Sequence, residues 1–316
     1  MSKILITGSL GQIGSELANA LCERYGTSNV VVSDVRAKTV DDQISDCECA
    51  VLDVTDVTQI AELVKKHNIK IIYHLAALLS AVAEAKPQTA WNVNMNGLYN
   101  VLEVAREFAC AVFTPSSIGA FGLSTPHDKT PQDTIQRPNT MYGVTKVAGE
   151  LLCDYYYKRF GVDTRGLRYP GIISYKTLPG GGTTDYAVEI YYEAIKKKKY
   201  TCFLKPGTYL DMMYMPDAIN AVINLMEADQ KKLIHRNAFN VTAMSIDPEK
   251  LAGSIRKQIP DFSIDYKIDP VRQGIADSWP NSMDDSAARE EWGWQPKYNL
   301  EKMTEDMLTQ LRKKLA

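Results

Sequence analysis

Tyr142 and Lys146 are the pair of residues in this 316-residue sequence whose types and spacing most directly suggest chemistry. On a helix predicted from Met141 to about Phe160, residues four apart share one face, one turn from each other. A tyrosine, with an ordinary pKa of about 10, is a poor base at neutral pH, but a nearby ammonium and a positively charged cofactor ring favour the phenolate. Tyr142 could then take the proton of a substrate alcohol. A surface aromatic beside a solvated lysine is the alternative.

Two serines stand where such a tyrosine needs a partner. Ala111–Ser117 has the apolar pattern of a buried strand and ends in Ser116 and Ser117. Ligands of open α/β sheets bind at the carboxyl ends of the strands, so Ser117, and with it Ser116, is a candidate to hold the alcohol oxygen. Ser80 follows another predicted strand, Ile69–Ala77, and is a candidate on the substrate side. A serine in a loop is otherwise simply solvated.

The N-terminal glycines predict where a cofactor would bind. An apolar strand around Ile4–Ile6 stops at a turn, and a segment of helical periodicity follows. The turn carries three glycines at three-residue spacing, Gly8, Gly11 and Gly14. In such a unit the first glycine permits the tight turn, the second lets backbone approach a diphosphate, and the third lets helix and strand pack closely. Gln12 and Ile13 open the helix at the N-terminus that would face the diphosphate. A flexible loop is the alternative.

Asp34 predicts which cofactor binds. It ends a second apolar strand, twenty residues beyond Gly14, where a carboxylate would hold the adenosine ribose. Its charge would repel a 2′-phosphate, so NAD is favoured over NADP, although Arg36 acts in the opposite direction. Asp53 and Val54 follow a third short strand and would hold the adenine. A strand-ending carboxylate with no ligand is an equal alternative for Asp53.

Composition limits the class of partner. Lys and Arg total 36 against 38 Asp and Glu, a formal net charge of -2, which argues against a nucleic-acid or polybasic membrane binder. The six cysteines show no disulfide framework, and we expect a small-molecule substrate and a reducing cytoplasm. No signal peptide or apolar run of the ~20 residues needed for a membrane span is visible. A mitochondrial location would apply if a transit peptide had been removed.

No metal site is predicted. The four histidines are scattered, and Cys47-x-Cys49 is only a weak metal pair, which disfavours a zinc-dependent alcohol dehydrogenase.

The order of elements predicts an α/β fold, a Rossmann-type doubly wound parallel sheet with a smaller C-terminal substrate lobe. We place the NAD-binding domain in residues 1–172 and 209–244 and the substrate lobe in 173–208 and 245–316. Trp91–Phe108 is expected to form one long helix, and Cys49–Asp53 a strand. Trp292 and Trp294 are expected to pack within the lobe rather than bind a ligand.

Together these motifs resemble the extended short-chain dehydrogenases/reductases, the group that contains the nucleotide-sugar epimerases. The carriers of the resemblance are Thr7-Gly8-x-x-Gly11-x-x-Gly14, Asp34, His74-Leu-Ala-Ala77, Ser116-Ser117 with Phe121-Gly122, Tyr142-x-x-x-Lys146 and Leu167-Arg-Tyr-Pro170. The resemblance covers nearly the whole chain. It implies NAD contacts from Leu75, Ala76, Ala77, Asn94 and Tyr169, with Tyr142 and Lys146 serving cofactor and reaction alike.

Two departures from the sugar-binding pattern imply a smaller ligand. Nucleotide-sugar enzymes commonly carry an asparagine where this chain has Pro170-Gly171, and an arginine where it has Leu210 before Asp211. Losing the amide and the cation together would leave a sugar diphosphate poorly paired, since hydrogen bonds to charged groups are worth roughly 1.5–3 kcal/mol each.

Three stretches instead resemble the short-chain type of L-threonine 3-dehydrogenase. They are Thr114–Gly122, Leu178–Ala187 with its three glycines, and Asp277–Pro280. This resemblance implies oxidation of the threonine β-hydroxyl to 2-amino-3-oxobutanoate with NAD. It also implies that Ser80, Gly182, Thr183 and Thr184 contact the amino-acid head, that Trp279 closes over the substrate, and that two long helices pair in a homodimer. A flexible loop is the alternative for the glycines.

Two other readings stay open at this point. An NDP-sugar epimerase or dehydratase would use the same tyrosine and lysine but regenerate NAD in place, so net NADH production separates the two enzymes. A redox-sensing regulator would bind NAD without turning it over, and it would have no chemical reason to keep Ser117, Tyr142 and Lys146.

Overall fold

The computed structural model describes residues 2–176 and 182–315. Its strands are β1 (Lys3–Thr7), β2 (Val30–Asp34), β3 (Glu48–Val51), β4 (Ile69–His74), β5 (Ala111–Ser117), β6 (Thr164–Tyr169), β7 (Gly171–Ile173), β8 (Lys199–Cys202), β9 (Leu210–Tyr214), β10 (Phe239–Asn240), β11 (Met244–Ile246) and β12 (Ser263–Tyr266). Its α-helices are α1 (Gln12–Tyr25), α2 (Val57–His67), α3 (Ser80–Ala85), α4 (Pro87–Trp91), α5 (Gly97–Phe108), α6 (Met141–Phe160), α7 (Tyr186–Lys197), α8 (Met215–Glu227), α9 (Pro248–Arg256), α10 (Pro270–Ala276), α11 (Ser286–Trp292) and α12 (Leu300–Leu315).

The chain divides into two compact units. The first unit comprises Met1–Ala120, Asn139–Arg168 and Val222–Phe239, and the second comprises Phe121–Pro138, Tyr169–Ala221 and Asn240–Ala316. This division assigns Phe121–Pro138 to the second unit, whereas the sequence places it with the cofactor domain. The boundaries that we gave for an NAD-binding domain and a substrate lobe stay a prediction.

The first unit is built on a parallel sheet. Within the described residues, seven strands form one sheet in the order β10-β6-β5-β4-β1-β2-β3. β1 pairs in parallel with both β2 and β4, β2 with β3, and β4 with β5. The chain therefore crosses from one side of β1 to the other, and this reversal of strand order is where an open α/β sheet binds its ligand. The Rossmann-type fold predicted from the sequence is confirmed.

The core of the first unit explains why these segments are strands and helices. Leu5, Val31 and Ile72 project from β1, β2 and β4 into one hydrophobic cluster. Apolar residues of α2, α5 and α6 complete the cluster, and Val101 and Cys153 among them are fully buried. α2 begins at an Asp56 cap whose carboxylate accepts from Thr58 N and Gln59 N. Burial of one face of each helix therefore fixes α6 against the sheet.

The second unit has two small sheets. β9 lies between β7, to which it is parallel, and β11, to which it is antiparallel, while β8 and β12 form a parallel pair. Trp294 is buried and its ring lies 5.8 Å from that of Trp292, which agrees with the predicted packing role of this pair. No helix in the described ranges is long and apolar enough to cross a membrane.

Some element bounds differ from the predicted ones. The helix expected over Trp91–Phe108 is interrupted by a π-helical turn at Asn92–Asn96. The third strand is Glu48–Val51 rather than Cys49–Asp53, and Ser80, expected in a loop, is the first residue of α3.

Candidate active site

The glycine turn has the geometry expected of a diphosphate site. Gly8 has φ +69°, and a Cβ there would lie 2.6 Å from Ala76 N. A Cβ at Gly14 would lie 2.3 Å from Gly8 O, so neither position accepts a side chain. α1 begins at Gln12 with Gly11 as its cap and no side chain bonded to the helix N-terminus. Ile13 follows in the first turn. Backbone N–H groups at such a terminus bind anions.

One buried hydroxyl in this turn has no partner. The Ser9 side chain is 1% exposed, and its Oγ makes no hydrogen bond within the described residues. A buried donor without a partner is costly, so a ligand oxygen at this turn would relieve it. The glycine cradle, the open helix terminus and this hydroxyl fit the diphosphate of NAD.

Asp34 ends β2 beside the same turn. Its Oδ2 accepts from Leu10 N at 3.1 Å, which holds the carboxylate against the glycine turn. Arg36 follows, and Asp42 binds its guanidinium. Asp34 therefore lies beside the glycine turn, and its role toward the ribose hydroxyls stays a prediction.

Asp53 and Val54, predicted to hold adenine, have partners within the protein. The Asp53 carboxylate accepts from Thr55 N at 2.9 Å and from Thr55 Oγ1 at 2.8 Å. Val54 is buried, and a Cβ at Gly97 would lie 2.8 Å from its Cγ2. These contacts explain both residues structurally, and their adenine role stays a prediction.

Leu75, Ala76 and Ala77 continue from β4 toward the glycine turn. Leu75 N donates to Thr7 O at 3.0 Å, and the Ala76 backbone abuts Gly8. Asn94, in the π-helical turn, ties this segment to α6. Its Oδ1 accepts from Leu78 N at 2.8 Å, and its Nδ2 donates to Leu78 O and to Thr145 Oγ1. Asn94 thus connects the segment that follows β4 with the helix that carries Tyr142 and Lys146.

The predicted catalytic residues meet at the end of β5. Lys146 Nζ lies 5.4 Å from the centroid of the Tyr142 ring and donates to Pro115 O at 2.7 Å. Ser117 Oγ accepts from Gly119 N at 3.1 Å. A Cβ at Gly119 would lie 3.3 Å from the Tyr142 ring and 3.5 Å from Ser117 Oγ, so the ring and the hydroxyl border the same position. The spacing of Tyr142 and Lys146, together with the serines that end the preceding strand, predicted this grouping.

Ser80 lies on a helix that touches the start of α6. Glu84 of α3 accepts from Met141 N at 2.5 Å, directly before Tyr142. This contact ties the Ser80 segment to the N-terminus of the catalytic helix. Its substrate role stays a prediction.

Ser116 faces away from the position that Ser117 borders. Its buried hydroxyl donates to Glu150, which also pairs with Arg168 through Nε at 3.0 Å and Nη2 at 2.8 Å. The sequence made Ser116, with Ser117, a candidate to hold the alcohol oxygen; its hydroxyl has this structural partner, and its role toward the substrate stays a prediction. Glu150 and Arg168 were missed as positioning residues. The spacing of Tyr142, Lys146 and Glu150, each four residues apart on one helix face, could have revealed Glu150.

His74 lies at the end of β4, where Thr7 Oγ1 is 2.8 Å from its Nδ1. Burial, followed by the Lys146 charge, lowers the pKa of His74 to about 3, so the imidazole is neutral. His74, Lys146, Ser116 and Glu150 line a cavity of about 30 Å³, roughly the space of one or two water molecules. A neutral ring here adds no second cation beside Lys146.

The second unit carries the other predicted residues. Gly182 N donates to Asp185 Oδ2 at 2.6 Å, and Thr183 and Thr184 form the turn before α7. A Cβ at Gly171 would lie 2.7 Å from Thr184 Cγ2, so Gly171 leaves the space that Thr184 occupies. The remainder of the predicted loop, Leu178–Gly181, lies outside the described residues.

Tyr169 and Trp279 are both buried in the second unit. Tyr169 donates its hydroxyl to Ala218 O at 2.8 Å, and burial raises its pKa well above the ordinary value. Trp279 is 8% exposed and ends a turn in which its N donates to Ala276 O. Their predicted roles toward cofactor and substrate stay predictions.

Asp211 is a carboxyl group of the second unit whose pKa is strongly raised. It is fully buried, receives the Thr242 hydroxyl and accepts from Met283 N at 2.7 Å. Burial, against these hydrogen bonds, raises its pKa to about 7. Among the described residues, no group of three or more His, Cys, Asp or Glu side chains could hold a metal ion.

Known proteins match this chain along nearly its whole length. The sequence profile of the NAD dependent epimerase/dehydratase family matches residues 4–241. An uncharacterised epimerase/dehydratase of Staphylococcus aureus (strain USA300) is 56% identical over 314 residues, 99% of this chain and 98% of the relative.

Solved structures give a similar result. L-threonine dehydrogenase from Clostridium difficile is 61% identical, with a TM-score of 0.98, covering 99% of this chain and 98% of that one. The holo form of an L-threonine dehydrogenase from Cupriavidus necator is 52% identical, with a TM-score of 0.94, covering 98% of this chain and 99% of that one.

Fold and site together are those of an extended short-chain dehydrogenase/reductase that uses a nicotinamide cofactor. With these matches, the chain belongs to the NAD dependent epimerase/dehydratase family. The family predicted from the sequence is thereby confirmed.

Proposed function

We propose that this protein is an NAD-dependent L-threonine 3-dehydrogenase, which oxidises the β-hydroxyl of L-threonine to 2-amino-3-oxobutanoate. The observation that carries the proposal is the 61% identity, over 99% of this chain, to the L-threonine dehydrogenase of Clostridium difficile. The Tyr142, Lys146 and Ser117 grouping supports it, because that grouping is suited to removing hydrogen from an alcohol carbon.

Each residue of the catalytic grouping has its own proposed role in the reaction. Ser117 holds the threonine hydroxyl, and Tyr142 takes its proton as the general base. Lys146, held by Pro115 O, places its charged side chain beside the Tyr142 ring, where it supports the proton transfer electrostatically. NAD bound at the glycine turn would supply the acceptor for the hydride that leaves the β-carbon. Asn94 links the segment after β4 to α6 through Leu78 and Thr145, and so supports the position of the helix that carries Tyr142 and Lys146.

The remaining cofactor and substrate contacts are proposed from the positions described above. NAD is held by Gly8, Gly11, Gln12, Ile13, Gly14, Asp34, Arg36, Asp53, Val54, Leu75, Ala76, Ala77, Asn94, Tyr142, Lys146 and Tyr169. The amino acid is held by Ser80, Ser117, Tyr142, Gly182, Thr183, Thr184 and Trp279. Threonine has few atoms, so its recognition depends on well-placed hydroxyls and on the exclusion of water.

The assembly we propose is a homodimer in a reducing cytoplasm. Apolar side chains of α5 and α6 are exposed, among them Tyr99 at 50%, Leu151 at 63% and Tyr155 at 53%. Such a helical surface suits an isologous pairing of two copies. All six cysteines are free, as a reducing compartment favours.

A substrate panel tests the proposal. Purified protein with NAD is given L-threonine, L-serine or UDP-glucose, and NADH is followed by absorbance. We expect steady NADH formation with L-threonine and less with L-serine, which lacks a methyl group worth about 0.8 kcal/mol when buried. UDP-glucose is expected to give no NADH. Epimerised UDP-glucose without NADH, together with no reaction of L-threonine, would replace the proposal with the epimerase alternative.

A further inference from the structure

Arg36 is the cation nearest in sequence to the carboxylate proposed to hold the adenosine ribose, and it is already engaged. Its Nη1 donates to Asp42 Oδ2 at 2.8 Å and its Nη2 donates to Asp42 Oδ1 at 2.7 Å. This is the two-pronged arrangement in which a guanidinium binds a carboxylate or a phosphate best. Asp42 therefore occupies the donors with which Arg36 could bind a phosphate.

Asp42 is itself held in place by the loop. Its Oδ2 accepts from Thr39 N at 2.8 Å and from Thr39 Oγ1 at 3.0 Å. The Arg36 guanidinium and these hydrogen bonds hold the pKa of the Asp42 carboxyl well below its ordinary value. Asp42 is thus a charged partner for Arg36 throughout the neutral pH range.

The other cation of this loop is also engaged. Lys38 Nζ donates to Ile44 O at 3.0 Å and to Ser45 O at 3.4 Å. Asn19 of α1 fixes the same segment, because its Nδ2 donates to Gln43 O at 2.8 Å and its Oδ1 accepts from Ser45 N at 2.7 Å. These hydrogen bonds fix the loop after β2. Both of its cations, Arg36 and Lys38, are bound to groups of the loop itself and are not free beside Asp34.

NADP differs from NAD by a phosphate on the adenosine ribose. Asp34 disfavours that phosphate by its charge, but a free arginine two residues away would offset the repulsion. The half-exposed Arg36 side chain could supply such a counter-charge if Asp42 did not bind it. Asp34 alone therefore does not set the preference for NAD.

We propose that Asp42 is a coenzyme-selectivity residue: by binding both terminal nitrogens of Arg36, it withholds this guanidinium from a 2′-phosphate and so strengthens the rejection of NADP. The inference rests on the cofactor site proposed above. Asp42 lies outside that site, and its proposed effect depends entirely on its ion pair with Arg36.

The test measures binding of NADH and NADPH by fluorescence titration, without an amino-acid substrate. Asp42→Asn removes the charge and keeps the shape, and Asp41→Asn removes the same charge from the adjacent exposed residue. We expect Asp42→Asn to tighten NADPH binding about five- to tenfold, the scale of one charge-assisted contact at an exposed site, with NADH within about twofold. Asp41→Asn should leave both dissociation constants within about twofold.

The double variant Arg36→Gln with Asp42→Asn tests whether the tighter NADPH binding requires Arg36. The gain for NADPH should disappear in it, because the gain requires the guanidinium. A gain in Asp41→Asn equal to that in Asp42→Asn, a gain that survives loss of Arg36, or an unchanged NADPH constant in Asp42→Asn would each overturn the inference. If Asp42→Asn unfolds, Asp42→Ser, which keeps an acceptor for Thr39 N, repeats the comparison. Failure of the wild-type protein to bind NADH would overturn the proposed function itself.

Discussion

Tyr142 is the residue on which the proposed reaction depends most. Its ring borders the same position as Ser117 Oγ, and Lys146 Nζ lies 5.4 Å from its centroid. We expect Tyr142→Phe to lower turnover of L-threonine by roughly 10²- to 10⁴-fold, the usual contribution of a general base, with NADH binding nearly unchanged. Tyr155→Phe, on the same helix but 53% exposed, is the matched control and should keep full activity. Near-normal steady-state kinetics in Tyr142→Phe would refute this assignment.

Asp211 makes the stability of the protein depend on pH. Its pKa is about 7 in the folded chain, whereas an unfolded aspartate titrates near 4. Because the pKa is raised in the folded state, folded Asp211 keeps its proton at pH values where the unfolded chain has lost it. The contribution of Asp211 to the free energy of unfolding is therefore fully present below about pH 4 and is lost as the pH rises to about 7.

Asp211→Asn, always neutral, should therefore gain stability relative to wild type as the pH rises through this window, by up to about 4 kcal/mol. Urea unfolding at several pH values measures the difference. A constant difference across the window would show that Asp211 is ionised in the folded protein.

The helices and strands that position these residues are predictable from local sequence patterns, but some of the contacts between them are not. The periodicity of apolar residues and the glycine spacing predict β1, α1, the position of Asp34 and the helix face shared by Tyr142 and Lys146, because each depends on local geometry. Successive residues of a strand point to opposite faces, so we expect only one of Ser116 and Ser117 to point toward the Tyr142 ring. Ser116 is the serine whose hydroxyl donates to Glu150, and a contact between residues so distant in the sequence is not visible in the strand pattern, so the sequence could not distinguish the two serines.

The α6–β6 ion pair is the element-scale contact to test. Glu150 and Arg168 are each 8% exposed, and α6 carries Tyr142 and Lys146 two turns and one turn before Glu150. Glu150→Gln should cost about 3–5 kcal/mol of unfolding free energy, because the Arg168 charge is left buried beside a neutral group.

Replacing both partners, as in Glu150→Leu with Arg168→Met, should cost less than the sum of the two single substitutions, because no buried charge then remains. Urea unfolding of the four proteins gives the comparison. Strict additivity would mean that the two side chains are not energetically coupled.

At the scale of the whole molecule, the exposed apolar side chains on α6 predict self-association. Leu151→Glu with Tyr155→Glu places two charges on this surface and should yield monomers, because like charges then face each other across a two-fold axis. Val271→Glu introduces one such charge at a residue 71% exposed on α10 and should leave the assembly intact. Light scattering at micromolar concentration measures the masses. A wild-type protein that is already monomeric would contradict the homodimer.

The transfer of hydrogen from the threonine β-carbon to the cofactor is the central claim, and isotope labelling tests it most directly. The protein is given NAD and L-threonine with deuterium on the β-carbon, and the reduced cofactor is analysed by mass spectrometry. We predict one deuterium in each reduced cofactor, and with Tyr142→Phe an accumulation of the labelled cofactor that is slower by roughly 10²- to 10⁴-fold. Reduced cofactor without deuterium, or no reduced cofactor from L-threonine while a UDP-sugar is epimerised, would contradict it.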